Sequence, residues 1–195
     1  MPLGAFKAAL MGTAGVSTGD VVLLSTQTAS NSATISFTSD ITSTYGEYIF
    51  KFYNINPATD DVEFTFNGSI DGGSNYNVVK TTTYFSAYHR EDDGDTGFGY
   101  YAAGDLAQST DAQMLLGGAG NAADEGGAGE VHLFNPSSTT YVKHFISTTQ
   151  QGDNGGLAVN AFIGGYFNNT DNIDAVQFKM SSGNFDGKIK MWGVK

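Results

Sequence analysis

Three histidines, His89, His132 and His144, reach most directly toward metal or acid–base chemistry. His132 and His144 fall in the two arms of one expected hairpin, so their rings could approach across the strands. A zinc site would need Glu130 or His89 as a further ligand. Nothing in the local spacing fixes that ligand, and the reading adopted is ordinary sheet histidines with no metal site. The carboxylates gather in Glu91-Asp92-Asp93-Gly94-Asp95 and Asp124-Glu125. Several oxygens in a flexible loop suit Ca²⁺, but the first run lacks the alternating spacing of an EF-hand. Glycoside hydrolysis needs two carboxylates held a defined distance apart across a groove, whereas these acids crowd into loops and read as solvated tips. No G-x-S-x-G motif and no cysteine occurs, so neither a nucleophile elbow nor thiolate chemistry is available. Tyr100, Tyr101 and Trp192 could stack on sugar rings, since each pairs a ring face with a polar handle; core or interface is the commoner use of such residues. No catalytic, cofactor-binding or metal residue is assigned, and the chain reads as a non-enzyme.

The elements that would position these side chains are organised around Glu47 to Phe66, EYIFKFYNINPATDDVEFTF. Tyr48, Phe50 and Phe52 share one face of the first run and Val62, Phe64 and Phe66 one face of the second, because successive strand residues point to opposite sides. Asn54, Asn56, Pro57, Asp60 and Asp61 supply turn chemistry between them, and the pattern predicts a β-hairpin. In that register Glu63 and Thr65 face solvent. Similar arrangements are expected at Val131 to Ile146 and, more faintly, at Tyr166 to Met180.

Around this centre, Val21 to Leu24 and Ala33 to Phe37 read as strands, as do the β-branched run within Tyr76 to Tyr88 and the alternation Leu157, Val159, Ala161, Ile163. Phe98 to Ala103 is expected as a short strand, and Asp105 to Leu116 as a loop entering one. Gly117 to Gly129 reads as a flexible loop, and Gly164-Gly165 as a bend or bulge. Ser181 to Gly187 is expected to join the last two strands, Val176 to Met180 and Lys188 to Val194, as a hairpin. Eight to ten strands exceed what one twisted open sheet comfortably holds. The expectation is an all-β antiparallel β-sandwich, a jelly roll, occupying residues 21–195 as a single domain behind a short arm at residues 1–20.

Composition supports that class. Of 195 residues, 40% are apolar, 26 are Gly and only 15% are charged, which favours turns and strands over long helices. Nine basic residues against 20 acidic ones leave a formal charge of -11, which repels phosphates and makes nucleic acid a poor partner. The apolar stretch in MPLGAFKAALMGTAG is interrupted by Lys7 and Gly12 and falls short of the ~18 residues of a membrane span. It reads instead as an arm whose Phe6, Ala9 and Leu10 share a helical face that docks on a neighbouring chain.

The runs ITSTYGEYIFKFYNINPATDDVEFTF, NYNVVKTTTYFSAYH, HLFNPSSTTYVKHF and VQFKMSSGNFDGKIKMWGV resemble virion structural proteins of marine tailed phages that infect cyanobacteria and related bacteria. The opening MPLGAFKAAL is similar to the starts of such proteins. The resemblance covers most of the chain after Ile41, and it implies a capsid decoration (cement) or tail fibre component on the external surface of the virion. No functional residue carries over from it. An acidic surface suits a particle protein in salty water, where the Debye length falls to a few ångströms. The expected partners are other virion proteins, reached through the N-terminal arm, and further copies of the chain in a trimer, with neither nucleic acid nor membrane insertion. The alternative is a glycan-binding module that recognises the host surface through Tyr100, Tyr101 and the glycine loops.

Overall fold

The computed structural model describes residues 20–195, so the arm expected at residues 1–20 lies, apart from Asp20, outside the described residues. The chain forms β1 (Val21–Ser32), β2 (Thr34–Phe37), β3 (Glu47–Pro57), β4 (Val62–Ser69), β5 (Lys80–Arg90), β6 (Thr96–Tyr100), β7 (Gln113–Ala119), β8 (Gly126–Phe134), β9 (Lys143–Gly152), β10 (Leu157–Phe167), β11 (Ala175–Met180) and β12 (Phe185–Val194). Two sheets result, one of eight strands in the order β1-β12-β3-β8-β9-β10-β5-β6 and one of four in the order β2-β11-β4-β7. Every pairing is antiparallel. The protein is an antiparallel β-sandwich, as the alternation predicts.

The organising stretch is not a hairpin. β3 pairs with β12 and β8 in the large sheet, while β4 pairs with β11 and β7 in the small one. The segment after Pro57, with Asp61 at φ 54°, carries the chain across the sandwich instead of reversing it within a sheet. Beside it, β11 and β12 also lie in different sheets, so the expected hairpin at Ser181 to Gly187 is a second crossing. The two crossings are tied together where Ala58 N donates to Asn184 O at 2.8 Å. The fainter hairpin at Tyr166 to Met180 likewise spans both sheets, since β10 and β11 do not pair. Of the four expected hairpins, only β8–β9 forms. Alternation marks a strand's buried face equally well whether the next strand pairs beside it or packs opposite it.

Packing opposite is what builds the core. Phe178 of β11 lies centrally, with ring centroids of Phe50 at 5.6 Å, Phe64 at 5.8 Å, Phe66 at 6.2 Å, Phe37 at 6.3 Å and Phe52 at 6.4 Å. Phe52 meets Phe64 across the two sheets at 5.3 Å, edge to face. Each of these rings is buried, and each contributes about 1.5–3 kcal/mol by leaving water. Tyr48 is buried too, its hydroxyl donating to Thr42 O at 2.9 Å and accepting from Thr42 N at 2.7 Å.

Thr65 departs from the solvent-facing expectation. It is 4% exposed, its hydroxyl donates to Lys179 O at 3.0 Å, and only Glu63 retains partial access. Loops from elsewhere in the chain cover this outer face. The Asn67 amide donates to Tyr76 O at 2.7 Å and Thr110 O at 2.9 Å. Asp71 organises the first covering loop, and bonds from the Asn75 amide, the Ser69 hydroxyl and the Asn75 N–H hold its carboxyl down at about 2.

The glycine-rich stretch at Gly117 to Gly129 is mostly strand rather than flexible loop: β7 runs to Ala119 and β8 starts at Gly126. Its glycines permit close approach, since a Cβ on Gly129 would lie 2.6 Å from Thr148 O and 2.9 Å from the Phe52 ring. Gly164-Gly165 likewise continues β10 without a register shift, because a Cβ on Gly165 would meet Thr82 at 2.5 Å and Phe145 at 2.9 Å.

Candidate functional site

The outer face of the large sheet follows directly from the register. Cross-strand partners share a face, and one row runs Thr26, Lys190, Lys51, Glu130, Thr148, Phe162, Phe85, Tyr100 from edge to edge. The row is cationic toward β12 and β3, mixed at β8, and aromatic across β10, β5 and β6. At the aromatic end Phe85 stacks on Phe162 at 5.1 Å with 11° between the rings, and Phe98 meets Phe85 edge-on at 5.9 Å. Phe98 is 75% exposed, and Phe85, Phe162, Tyr100 and Ile146 are exposed beside it. A monomeric domain rarely leaves such a group in water, and contiguous aromatic patches mark interaction surfaces.

The three histidines are not brought together. His132 lies opposite Ile146, while His144 lies opposite Tyr166, 6.0 Å ring to ring. His132 sits between two carboxylates, with Nδ1 2.5 Å from Glu47 Oε1 and Nε2 3.2 Å from Glu130 Oε1. Those carboxylates address opposite sides of one ring, so they do not converge on a common point. Glu130 also pairs with Lys51 at 3.1 Å. Partial burial pushes the Glu130 carboxyl up, but its bonds and charge contacts with His132 and Lys51 outweigh this and hold it below the ordinary range. His89 stands apart on the acidic tip, 3.0 Å from Asp93. Among the described residues no cluster of three or more His, Asp or Glu side chains is placed to hold a metal ion.

The acidic tip spends its oxygens on itself. Asp92 accepts from Gly94 N at 2.9 Å and pairs with Arg90 at 3.2 Å; the Gly94 bond is the main influence lowering its carboxyl. Tyr88 donates to Asp95 at 3.1 Å, and Glu125 accepts from Ala122 N at 2.9 Å. The two tyrosines of the sugar-stacking expectation part company. Tyr100 stays on the outer face with its hydroxyl bonded to Asp105, while Tyr101 packs against the buried Tyr84 at 5.4 Å.

Sequence reasoning overlooked Phe85, Phe98, Phe162 and Ile146 as a group. The signal was present: if Val159, Ala161 and Ile163 point inward, Phe162 must point outward, and adjacent Tyr84 and Phe85 cannot share a face. It also overlooked two buried lysines, Lys80 and Lys143, which flank Phe167 in register on the inner face. Lys80 Nζ donates to Asp111 O, and Lys143 Nζ to Asn169 O at 3.0 Å and Tyr141 O at 3.3 Å. Burial pushes Lys80 down from 10.5 to about 8 against the opposing charge of Asp111, and lowers Lys143 in the same way against Asp171.

The fold and this face define a class, a two-sheet antiparallel β-sandwich with an aromatic surface on its larger sheet. No protein-family model, curated protein or solved structure matches the chain.

Proposed function

We propose that the protein is a virion structural protein on the outside of a marine tailed phage, a capsid decoration or tail fibre component that self-associates and attaches through its N-terminal arm. The observation that carries this reading is the aromatic end of the large sheet, where Phe85, Phe98 and Phe162 offer a firm apolar surface for another protein chain to cover. Strand order supports it. Setting aside β5, β6, β9 and β10 leaves two four-stranded sheets, β1-β12-β3-β8 and β2-β11-β4-β7, between which the chain switches at every step except β4 to β7. That order supports reading the fold as a widened jelly roll, an architecture that recurs in viral capsid and lectin domains. On this reading the four remaining strands widen one sheet and create the aromatic face. The charge of -11 keeps the protein outside the head, away from packaged DNA. A closed trimer is the expected assembly.

Sedimentation of the purified chain and particle incorporation together test the reading. Wild type is expected as a trimer, a Phe98→Ser/Phe162→Ser variant as a folded monomer, and a chain lacking residues 1–15 as a folded protein absent from particles. A wild-type monomer at micromolar concentration, or normal incorporation of the truncated chain, would overturn it.

A further inference from the structure

At the opposite end of the same face from the aromatic patch, three strand pairings break register at one level. β1 shifts against β12 between Ala29 and Ser32, β12 against β3 between Asp186 and Lys188, and β3 against β8 between Phe52 and Ile55. Bulges bend strands and re-aim side chains, and they recur beside functional sites. Here they open a depression of about 490 Å³ on the outer face of the large sheet. Two non-glycine residues hold left-handed backbone there, Asn54 at φ 50° and Asn31 at φ 48°, with Gly187 at φ 153° beneath them. A Cβ on Gly187 would lie 2.7 Å from Ile55 Cδ1, so the glycine lets β12 approach β3 closely. Left-handed non-glycine residues cost free energy and tend to gather at functional sites.

The groups around this depression are of four chemical kinds. Lys188 is the register partner of Tyr53, and the Lys190 ammonium lies 5.9 Å from the centroid of the Tyr53 ring. Among the described residues neither lysine has a carboxylate within 4.0 Å, although the chain carries an excess of acids. Tyr53 is 40% exposed. Asn54 and Thr28 contribute an amide and a hydroxyl that take no side-chain hydrogen bond among the described residues. Asp186 stands in the wall with Oδ1 accepting from Asn31 N at 2.7 Å.

We propose that this depression binds an acidic saccharide, one bearing carboxylate or sulfate groups. A simple phosphate or sulfate ion would meet the lysines but be repelled by Asp186, and it would make no use of the Tyr53 ring. A neutral sugar would leave two ammonium groups unpaired. An acidic sugar engages every kind of group: its anionic substituent meets Lys188 and Lys190, its hydroxyls bond Asp186, Asn54 and Thr28, and its apolar ring face lies against Tyr53. The site lies wholly within the folded domain and does not depend on the particle assignment.

Calorimetric titration of the full-length chain with tetragalacturonate, a chondroitin sulfate disaccharide, maltotetraose and sodium sulfate tests the site. Saturable binding of either acidic saccharide, with maltotetraose and sulfate about tenfold weaker or worse, is expected; the two acidic probes separate carboxylate from sulfate recognition. Lys188→Glu/Lys190→Glu should abolish binding and Tyr53→Ala should weaken it, each with an unchanged circular dichroism spectrum. Three results would overturn the proposal: no saturable binding of either acidic saccharide, binding of sodium sulfate as tight as theirs, or saccharide binding that survives the lysine reversal. A lysine reversal that instead dissociates an oligomer, with an Asp92→Asn/Asp93→Asn variant dissociating it equally, would assign the depression to the acidic tip of another copy and would overturn it too.

Discussion

Phe178→Ala is the sharpest test of how this sandwich is held together. Phe178 is fully buried and has five phenyl rings within 6.4 Å, contributed by β2, β3 and β4. Truncating a buried Phe typically costs about 3–5 kcal/mol. Favourable ring pairs contribute about 0.5–1.5 kcal/mol each beyond burial, which places this site at the upper end. The cavity would open where both sheets meet, so neither can close it without moving its own strands. A loss of about 5 kcal/mol in a domain of this size lowers the melting temperature by about 10–20 °C. Lys179→Ala is the control: it changes the next residue on the same strand, faces away from the core and has an exposed side chain. Its cost should stay within about 0.5 kcal/mol. Thermal and urea unfolding of the two variants, followed by circular dichroism, gives the comparison. A Phe178→Ala melting temperature within about 4 °C of wild type, or costs for the two variants that do not differ, would refute the central packing role assigned to this ring.

Other outcomes follow from the same structure. With Lys80 at about 8 in the folded state against 10.5 unfolded, both states hold the proton below pH 8 and the folded state bears the full cost of the buried ammonium. Between pH 8 and 10.5 the folded state releases it first, so stability rises by up to about 3 kcal/mol. Tyr84 opposes this above pH 10, because burial, with the charges of Tyr101 and Glu63, raises it to about 12 and the unfolded phenol ionises first. Wild type should therefore gain on Lys80→Met between pH 8 and 10 in urea titrations, and a constant difference across that range would contradict the assignment. Thr65→Val, which keeps the volume but loses the bond to Lys179 O, should cost about 1 kcal/mol in chemical unfolding, whereas a fully solvated Thr65 would cost nothing. Gly129→Ala should destabilise by about 1–3 kcal/mol through overpacking, measurable as a lower urea midpoint, because its Cβ has no room between Thr148 and Phe52.

Much of the strand inventory was legible from residues alone. Tyr48, Phe50, Phe52, Val62, Phe64 and Phe66 are buried as their alternation requires, because a period of two is a local property of an extended chain and an aromatic face must leave water wherever the strand ends up. The count of strands, set against the limit of one twisted sheet, also led to two sheets. Only the tertiary structure decided which strand lies beside which. β3 pairs with β12 and β8 and β4 with β11 and β7, and the pattern within β3 and β4 is the same under either arrangement. The second face of a strand was equally beyond local reading: Thr65 is buried because loops near Tyr76 and Thr110 fold over it, and Lys80 because it faces the interior beside Phe167 with Asp111 O in reach. The row from Lys190 to Tyr100 exists only as a register across strands distant in sequence. Its cationic depression depends on bulges in β1 and β3 falling at one level, a coincidence set by long-range pairing and invisible in any single strand.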